Sequence, residues 1–343
     1  MIANGQVLMM VDESKGEDRL LELLRKYGRE TVSGSVLCEG LGVSRTAVWK
    51  WVNLLRRRGY RIEATPSRGY VFLGAPDIPL AGEVGHDLDT AVIGGAIRYV
   101  EEIDSTNRLA MDLGRGGEPE GTVVVAEAQT EGKGRLGRAW ASPPGWNLYF
   151  SVLLRPPISP ESLARITLVT AVSLCQALRS ETGLPVQIKW PNDLWVHGKK
   201  VGGILAEMSA DMDQVRYAVV GVGINVNFPL SALPSSLKDT ATSLSQAAGR
   251  TFSRVALLRA LLKSMDKDYG LFCREGFAPF RDQWTGLSIT SGQKVRVALP
   301  GEMMEGTAVG INDQGALAVK RRDGVLCHVV SGDVSLMPKE GYR

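Results

Sequence analysis

The sequence predicts an α+β chain of more than one domain. Three observations carry that expectation: 343 residues exceed what one hydrophobic core usually serves, the apolar spacing changes from helical to strand-like along the chain, and positive charge is concentrated at one end. Hydrophobic residues at 44% and charged residues at 22% are ordinary for a folded chain, and no repeat or biased tract suggests a solenoid or disorder. No apolar run reaches a membrane span of about 18 residues, and Met1 to Ser14 lacks a basic stretch followed by an apolar core, so a cytoplasmic protein is expected. The four cysteines, Cys38, Cys175, Cys273 and Cys327, form no CxxC pair and read as small buried hydrophobes. His86, His197 and His328 are equally scattered, which argues against a metal cluster or a histidine triad.

The net charge of +3 is uneven. Lys15 to Gly74 holds twelve Lys/Arg against six Asp/Glu, a local +6, while the flanking segments are slightly acidic. That excess is the electrostatic footprint of a nucleic-acid binder, although a solvated helix face has the same composition.

A first domain is placed at 15–75. Leu20, Leu21, Leu23 and Leu24 make one face of a helix over Gly16 to Tyr27, and a short second helix is expected over Ser35 to Glu39. Gly40-Leu41-Gly42-Val43 reads as a tight turn, and Ser44 as the N-cap of a third helix. That helix has an apolar stripe of Ala47, Val48, Trp51, Val52, Leu54 and Leu55 and an opposite face of Arg45, Thr46, Trp49, Lys50 and Asn53. Two short strands, Tyr60 to Ala64 and Gly69 to Leu73, follow around Thr65-Pro66-Ser67-Arg68. Helix, turn, helix and hairpin in this order describe a winged helix-turn-helix, with Arg45, Thr46, Trp49 and Lys50 in a major groove and Arg68 near phosphates. A small module that docks a protein partner is the competing reading.

Pro76-Asp77-Ile78-Pro79 breaks regular structure and marks the boundary of a second domain, placed at 80–284. Three clusters there carry chemistry. Ser105, Thr106 and Asn107 supply short polar groups where a strand feeds a helix beginning at Arg108, a place that can bind an anion or a polar ring; a plain helix cap is the alternative. The strand Thr122 to Ala128 leads to Gln129 and the loop Gly132-Lys133-Gly134-Arg135-Leu136-Gly137-Arg138. Its formal GxGxxG match is not a dinucleotide fingerprint, because Trp140-Ala141-Ser142-Pro143-Pro144-Gly145 forbids the required helix, nor does it have the spacing of a Walker loop. Glycines interspersed with Lys133, Arg135 and Arg138 suit a mobile loop closing over a triphosphate, against the alternative of an ordinary solvated loop. The third cluster, Lys189-Trp190-Pro191-Asn192-Asp193 followed by Lys200-Val201-Gly202-Gly203, reads as a strand, a proline kink and a hairpin. Gly221 to Asn227 adds an apolar strand with small residues and amides at its end.

Taken in order, Glu102-Ile103-Asp104-Ser105-Thr106-Asn107, Gln129 with the 132–138 loop, Lys189 to Asp193, Lys200 to Leu205 and Gly221 to Asn227 resemble bacterial biotin protein ligases. With the N-terminal winged helix, the likeness is to the bifunctional members that also repress biotin synthesis genes. The resemblance implies a central domain related to class II aminoacyl-tRNA synthetases and lipoate ligases, then a small SH3-like β-barrel at 285–338. The residues agree with a β-rich tail: Gln293 to Val297, Gly306 to Ile311, Ala316 to Val319 and Cys327 to Val330 run apolar or alternate between turn residues.

By this likeness the substrates are biotin and ATP with Mg²⁺, and the partners are a biotin carboxyl carrier protein, operator DNA and a second copy in a ligand-induced homodimer, with no membrane. Biotin contacts are implied for Ser105, Thr106, Asn107, Gln129, Lys133, Gly134, Arg135, Lys200 and Gly203, and adenylate contacts for Arg138, Trp140, Asn192 and Asn225. Arg135, Lys133, Lys189 and Lys200 are cast as electrostatic stabilisers of phosphate charge, and Asp193 as a group that orients a lysine or accepts a proton; no resident metal site is expected. Lys133 stands where the family most often has arginine, which keeps charge but loses the planar fork. Met337 stands where some members carry arginine, which leaves an ATP contact from the tail open. The competing functions are a lipoate ligase and a ligand-sensing transcription factor without catalysis.

Overall fold

The computed structural model describes residues 14–65, 68–229, 231, 237–299 and 302–337. The chain divides into two units between Asp77 and Ile78. In the first, α1 (Ser14–Tyr27), α2 (Gly34–Leu41) and α3 (Arg45–Arg57) precede an antiparallel hairpin of β1 (Arg61–Thr65) and β2 (Gly69–Gly74). Leu20, Leu21, Leu24, Leu37, Val48, Val52 and Leu55 are buried. The second helix runs further than expected: Gly40 and Leu41 belong to it, and the reversal falls on Gly42 alone, whose φ of 69° an L side chain rarely adopts. Ser44 caps α3, its Oγ accepting from Ala47 N at 3.2 Å. Arg45, Thr46, Trp49, Lys50 and Arg68 are all exposed; the expected hairpin tip at 66 and 67 lies outside the described residues.

The second unit begins with the short helix α4 (Ala81–Gly85) and is built on a seven-stranded sheet. Its strands are β3 (Ile97–Ile103), β4 (Val123–Gln129), β5 (Leu148–Leu154), β6 (Gln187–Lys189), β7 (Asp193–Val196), β8 (Lys199–Ala210) and β9 (Val215–Ile224), in the order β3-β4-β5-β9-β8-β7-β6. Only the β3/β4 pair is parallel. Strand alternation divides the sheet's two faces. Val123, Val125, Phe150, Val152, Ala218, Val220 and Val222 join the large core that includes α6 (Leu163–Thr182), α8 (Arg254–Glu275) and α9 (Ala278–Leu287). Val124, Leu153 and Val219 face the other way, under α5 (Thr106–Arg115). The short α7 (Leu244–Ala248) lies between β9 and α8 in the chain. Because α5 covers only part of its face, the remainder is open for a site.

The helix after Ser105 starts at Thr106 rather than Arg108, so Thr106 and Asn107 occupy its first turn. The tail forms a five-stranded antiparallel sheet of β10 (Lys294–Leu299), β11 (Glu302–Ile311), β12 (Leu317–Lys320), β13 (Leu326–Val329) and β14 (Asp333–Leu336), in the order β13-β12-β11-β10-β14. Val295, Val297, Leu317 and Val319 belong to the same apolar cluster as Phe280 and Trp284, so tail and central sheet share one core. The tail also grips the Trp190-Pro191 turn: Trp190 Nε1 donates to Gly315 O at 3.2 Å and its backbone N to Thr290 Oγ1 at 3.1 Å.

The cysteines depart from expectation. Cys175 alone is buried, and burial pushes its thiol up to about 12; Cys38, Cys273 and Cys327 are half-buried, all four unbridged. Cys273 and Cys327 nevertheless pack against the large core. Among the described residues no helix is long and apolar enough to cross a membrane.

Candidate active site

A cavity of about 330 Å³ opens on the sheet face not covered by the large core. Its lining includes Ser105, Thr106, Asn107, Gln129, Lys133, Gly134, Arg135, Arg138, Trp140, Lys189, Asn192, Asp193, Lys200, Gly203 and Asn225. Residues from five separated motifs thus converge on one space.

One end is a closed hydrogen-bond network. Gln129 Oε1 accepts from both the backbone N and Oγ1 of Thr106, at 2.9 and 3.1 Å, while its Nε2 donates to Ser142 Oγ at 2.9 Å. Ser151, fully buried on β5, places its Oγ 2.7 Å from Thr106 Oγ1 and 2.6 Å from Asn107 Oδ1. Asn107 Nδ2 donates to Glu207 Oε2 at 2.6 Å. Ser105 is buried yet makes no side-chain cap, which weakens the plain-cap reading. The floor is glycine: a Cβ at Gly221 would lie 2.0 Å from Asn107 Oδ1, and one at Gly223 2.5 Å from the Trp140 ring.

The other end is cationic. The 132–138 loop does not hang free; Gly134 N donates to Arg138 O at 2.7 Å and Trp140 N to Gly132 O at 2.8 Å, folding it into a bridged turn with Leu136 at a φ of 57°. Residues 135–138 make a tight turn closed by Arg138 N donating to Arg135 O at 3.2 Å, and no α-helix follows before β5. Arg135 donates to Asn192 Oδ1 at 3.3 Å and to Gly332 O at 3.4 Å, and Arg138 pairs with Asp333. Lys200 Nζ lies 2.7 Å from Asp193 Oδ1 and 5.2 Å above the Trp140 ring; Lys189 Nζ lies 4.8 Å above Trp195. Trp190-Pro191, in the turn joining β6 to β7, is a cis peptide, and Lys189 pairs with Asp193 across those strands.

Burial pulls both Arg135 and Lys189 below their ordinary values, opposed by Asp193 and Asp333. Arg138 is held above its ordinary value by its hydrogen bond to Asp333. Asn192 is committed at both ends, its Nδ2 donating to Ile204 O at 2.8 Å, and Asn225 Nδ2 donates to Thr242 O at 3.0 Å. Trp140 Nε1 is buried without a hydrogen-bond partner among the described residues.

A niche of hydroxyls and amides thus adjoins a cluster of five cations in one cavity. Residues 99–225 match the biotin/lipoate A/B protein ligase family, 17–71 a helix-turn-helix domain and 290–337 the biotin protein ligase C-terminal domain. The bifunctional ligase/repressor BirA of Bacillus subtilis is 38% identical over 317 residues, covering 92% of this chain and 97% of that protein. The chain belongs to the biotin protein ligase family. The Escherichia coli bifunctional ligase/repressor is 32% identical over 90% of this chain and 94% of its own length. A biotin protein ligase from Aquifex aeolicus solved with biotin and ATP is 33% identical with a TM-score of 0.61, covering 71% of this chain and 99% of that one.

Several residues of this ligase-family cavity escape sequence reasoning. Gly221 and Gly223 were visible as part of a motif but not as a floor; their two-residue spacing on a strand, which sets both on one face, is the missed signal. Ser151, a lone polar residue in the all-buried β5, is the other. Asp333, from the tail, reaches the cavity only through tertiary packing and had no local signal, whereas Met337 is absent from the lining.

Proposed function

We propose that this cavity activates biotin with ATP and transfers it to a lysine of a biotin carboxyl carrier protein, and that the first unit represses biotin synthesis genes by binding their operator. The observation that carries the enzymatic half is the convergence of a neutral hydrogen-bonding niche and five cations, Lys133, Arg135, Arg138, Lys189 and Lys200, on one cavity.

Ser105, Thr106, Asn107 and Gln129 are assigned to the ureido ring of biotin, whose N–H and C=O groups match a niche of hydroxyls and amides. Biotin's carboxylate, at the end of its aliphatic side chain, is assigned to Lys200, and the triphosphate of MgATP to the loop cations. A carboxylate oxygen attacks the α-phosphorus, the bond to the bridging oxygen of the β-phosphate breaks, and pyrophosphate leaves. An acceptor lysine in its neutral form next attacks the carbonyl of the mixed anhydride; an amide forms, AMP leaves and the amine's proton passes to water. Arg135, Lys133, Lys189 and Lys200 stabilise the negative charge that moves in both steps, and Arg138, Trp140, Asn192 and Asn225 are placed around the adenylate. Asp193 orients Lys200 rather than acting as a base, since its carboxylate is engaged at 2.7 Å. Mg²⁺ enters with ATP as substrate, because the lining carboxylates Asp193 and Asp333 are each paired with a cation of the chain.

One helix-turn-helix per chain reads one half-site, so repression is assigned to two copies brought together when adenylate is bound. Biotin-dependent exchange of pyrophosphate into ATP, absent with lipoate, tests the enzyme; no exchange with biotin would sink it. A gel shift on DNA upstream of biotin synthesis genes, with and without adenylate, tests the repressor. Absence of salt-sensitive binding there would leave a ligase alone.

A further inference from the structure

Helix α3 carries one side chain that neither packing nor charge accounts for. Val48, Val52 and Leu55 form its buried face, and Arg45, Thr46 and Lys50 are exposed polar or basic residues. Trp49 stands among them, 58% exposed. Among the described residues up to Asp77, the other large apolar side chain counted as exposed is Val36, at 39%, on the preceding helix. An indole offers one of the largest apolar surfaces of any side chain, so leaving it in water on a folded helix points to a partner that covers it.

Trp49 lies one turn beyond Arg45 and one turn before Asn53, so the three form a single outward stripe, beside a second stripe of Thr46 and Lys50. Both ends of the stripe are fixed. Ser44 Oγ caps the helix start through Ala47 N. At the far end Asn53 Oδ1 accepts from Arg56 Nη1 at 3.4 Å, and Arg56 Nε donates to Ile62 O at 2.8 Å, tying the helix to β1. The surrounding segment has a local charge of +6, which selects a polyanion over an apolar protein face as the occupant. A duplex major groove shows donors and acceptors at every base pair, which arginine, lysine, threonine and asparagine can answer; its one apolar group is the C5-methyl of thymine.

We propose that Trp49 is a specificity-determining residue that reads thymine by packing its indole on the C5-methyl, while the neighbouring cations hold register. The proposal rests on the DNA-binding reading of this unit and adds which base is read and by what.

The test uses the full chain with biotin and ATP. A duplex is enriched by the wild-type protein from a random-sequence library, and each dT in it is then replaced singly by dU, which removes only the methyl. Binding to the dU duplex is expected to weaken about fourfold at one or two positions, the worth of roughly one buried methyl-sized group. Trp49→Ala should bind the dT and dU duplexes alike, with an unchanged slope of affinity against salt, since no phosphate contact is lost; Arg45→Ala should lower that slope. Trp49→Leu, which keeps an apolar tip, should keep part of the discrimination, and it carries the comparison if the alanine variant fails to fold. A dT-to-dU penalty undiminished from the wild type in Trp49→Ala, or in Trp49→Leu where the alanine variant does not fold, or no penalty at any position for the wild type, overturns the proposal. So does unaltered DNA binding by Trp49→Ala with a changed oligomeric state, which would make the indole a protein contact. Failure to enrich any duplex removes the DNA-binding reading itself, an outcome distinct from enrichment without thymine discrimination.

Discussion

The two ends of the cavity are built on opposite principles. At the polar end, Thr106, Asn107, Gln129 and Ser151 satisfy one another at 2.6 to 3.1 Å over a glycine floor, with Thr106, Asn107 and Ser151 buried. At the cationic end, the positive groups hold contacts within the chain: a carbonyl for Arg135, an exposed aspartate for Arg138, an indole face and a carboxylate for Lys200. A neutral ring is discriminated by a network that cannot relax, because each unmatched buried polar group is costly. A charged group that appears and leaves during turnover is served by cations already gathered around one space, Lys200 held in place by Asp193 at 2.7 Å. On the function we propose, the niche sets what binds, and the cluster sets what happens to it.

The largest expected effect comes from removing a cation. Arg135→Gly should lower adenylate formation about 100- to 1000-fold, the loss typical of one preorganised electrostatic group, with a much smaller change in biotin affinity. Pyrophosphate exchange and calorimetry on the same variant separate the two. Wild-type exchange with normal retention of adenylate would break the division between the ends.

The reciprocal change is Gly221→Ala. Its new Cβ would meet Asn107 Oδ1 at 2.0 Å, so the niche must shift. Overpacking of about 1–3 kcal/mol corresponds to a loss of biotin affinity of about 5- to 150-fold. Exchange at saturating biotin should stay near wild type. Equal losses in binding and in saturated exchange would mean that the ends are one mechanical unit.

These contrasts also mark what sequence made legible. The helix-turn-helix was readable because its signals are local: the N-cap at Ser44, the glycine at 42 and the apolar stripe of α3 lie within about four turns of chain. The cavity's cations were readable for a similar reason, as Lys133, Arg135, Arg138 and Lys189 sit on glycine- or proline-marked turns. The support behind them was not. Ser151 matters because β5 lies beside β4 and beneath α5, and Asp333 because β14 is brought to the loop by a core shared across 150 residues of chain or more; neither has a sequence neighbour that announces it. The depth of Lys189 is likewise a tertiary property, set by the tail's grip on Trp190.

That depth has a consequence in pH. Burial lowers the Lys189 ammonium below the ordinary lysine value of 10.5, so Lys189 loses its charge earlier as pH rises. Adenylation should decline on the alkaline side as that positive charge disappears, and be fully supported below it. Lys189→Arg, which stays charged, should flatten the alkaline limb even if its rate at neutral pH is lower. An identical limb in both proteins would assign the titration to another group.

The smallest effect is expected where the two ends' logic is weakest, at the latch between loop and tail. Arg138 and Asp333 form an ion pair with side chains 65% and 43% exposed, so water and salt screen it. Asp333→Asn removes the pair but leaves the Arg135 contact to Gly332 O, which is made by backbone. Exposed pairs are worth up to about 1 kcal/mol, so bound adenylate should leave no more than about fivefold faster, and the difference from wild type should vanish as salt is raised. Measured as the half-life of adenylate on the enzyme without acceptor, a salt-independent loss of a hundredfold would show that the loop is held in place by the tail. The cationic end would then be as preorganised as the niche, and the comparison would fail.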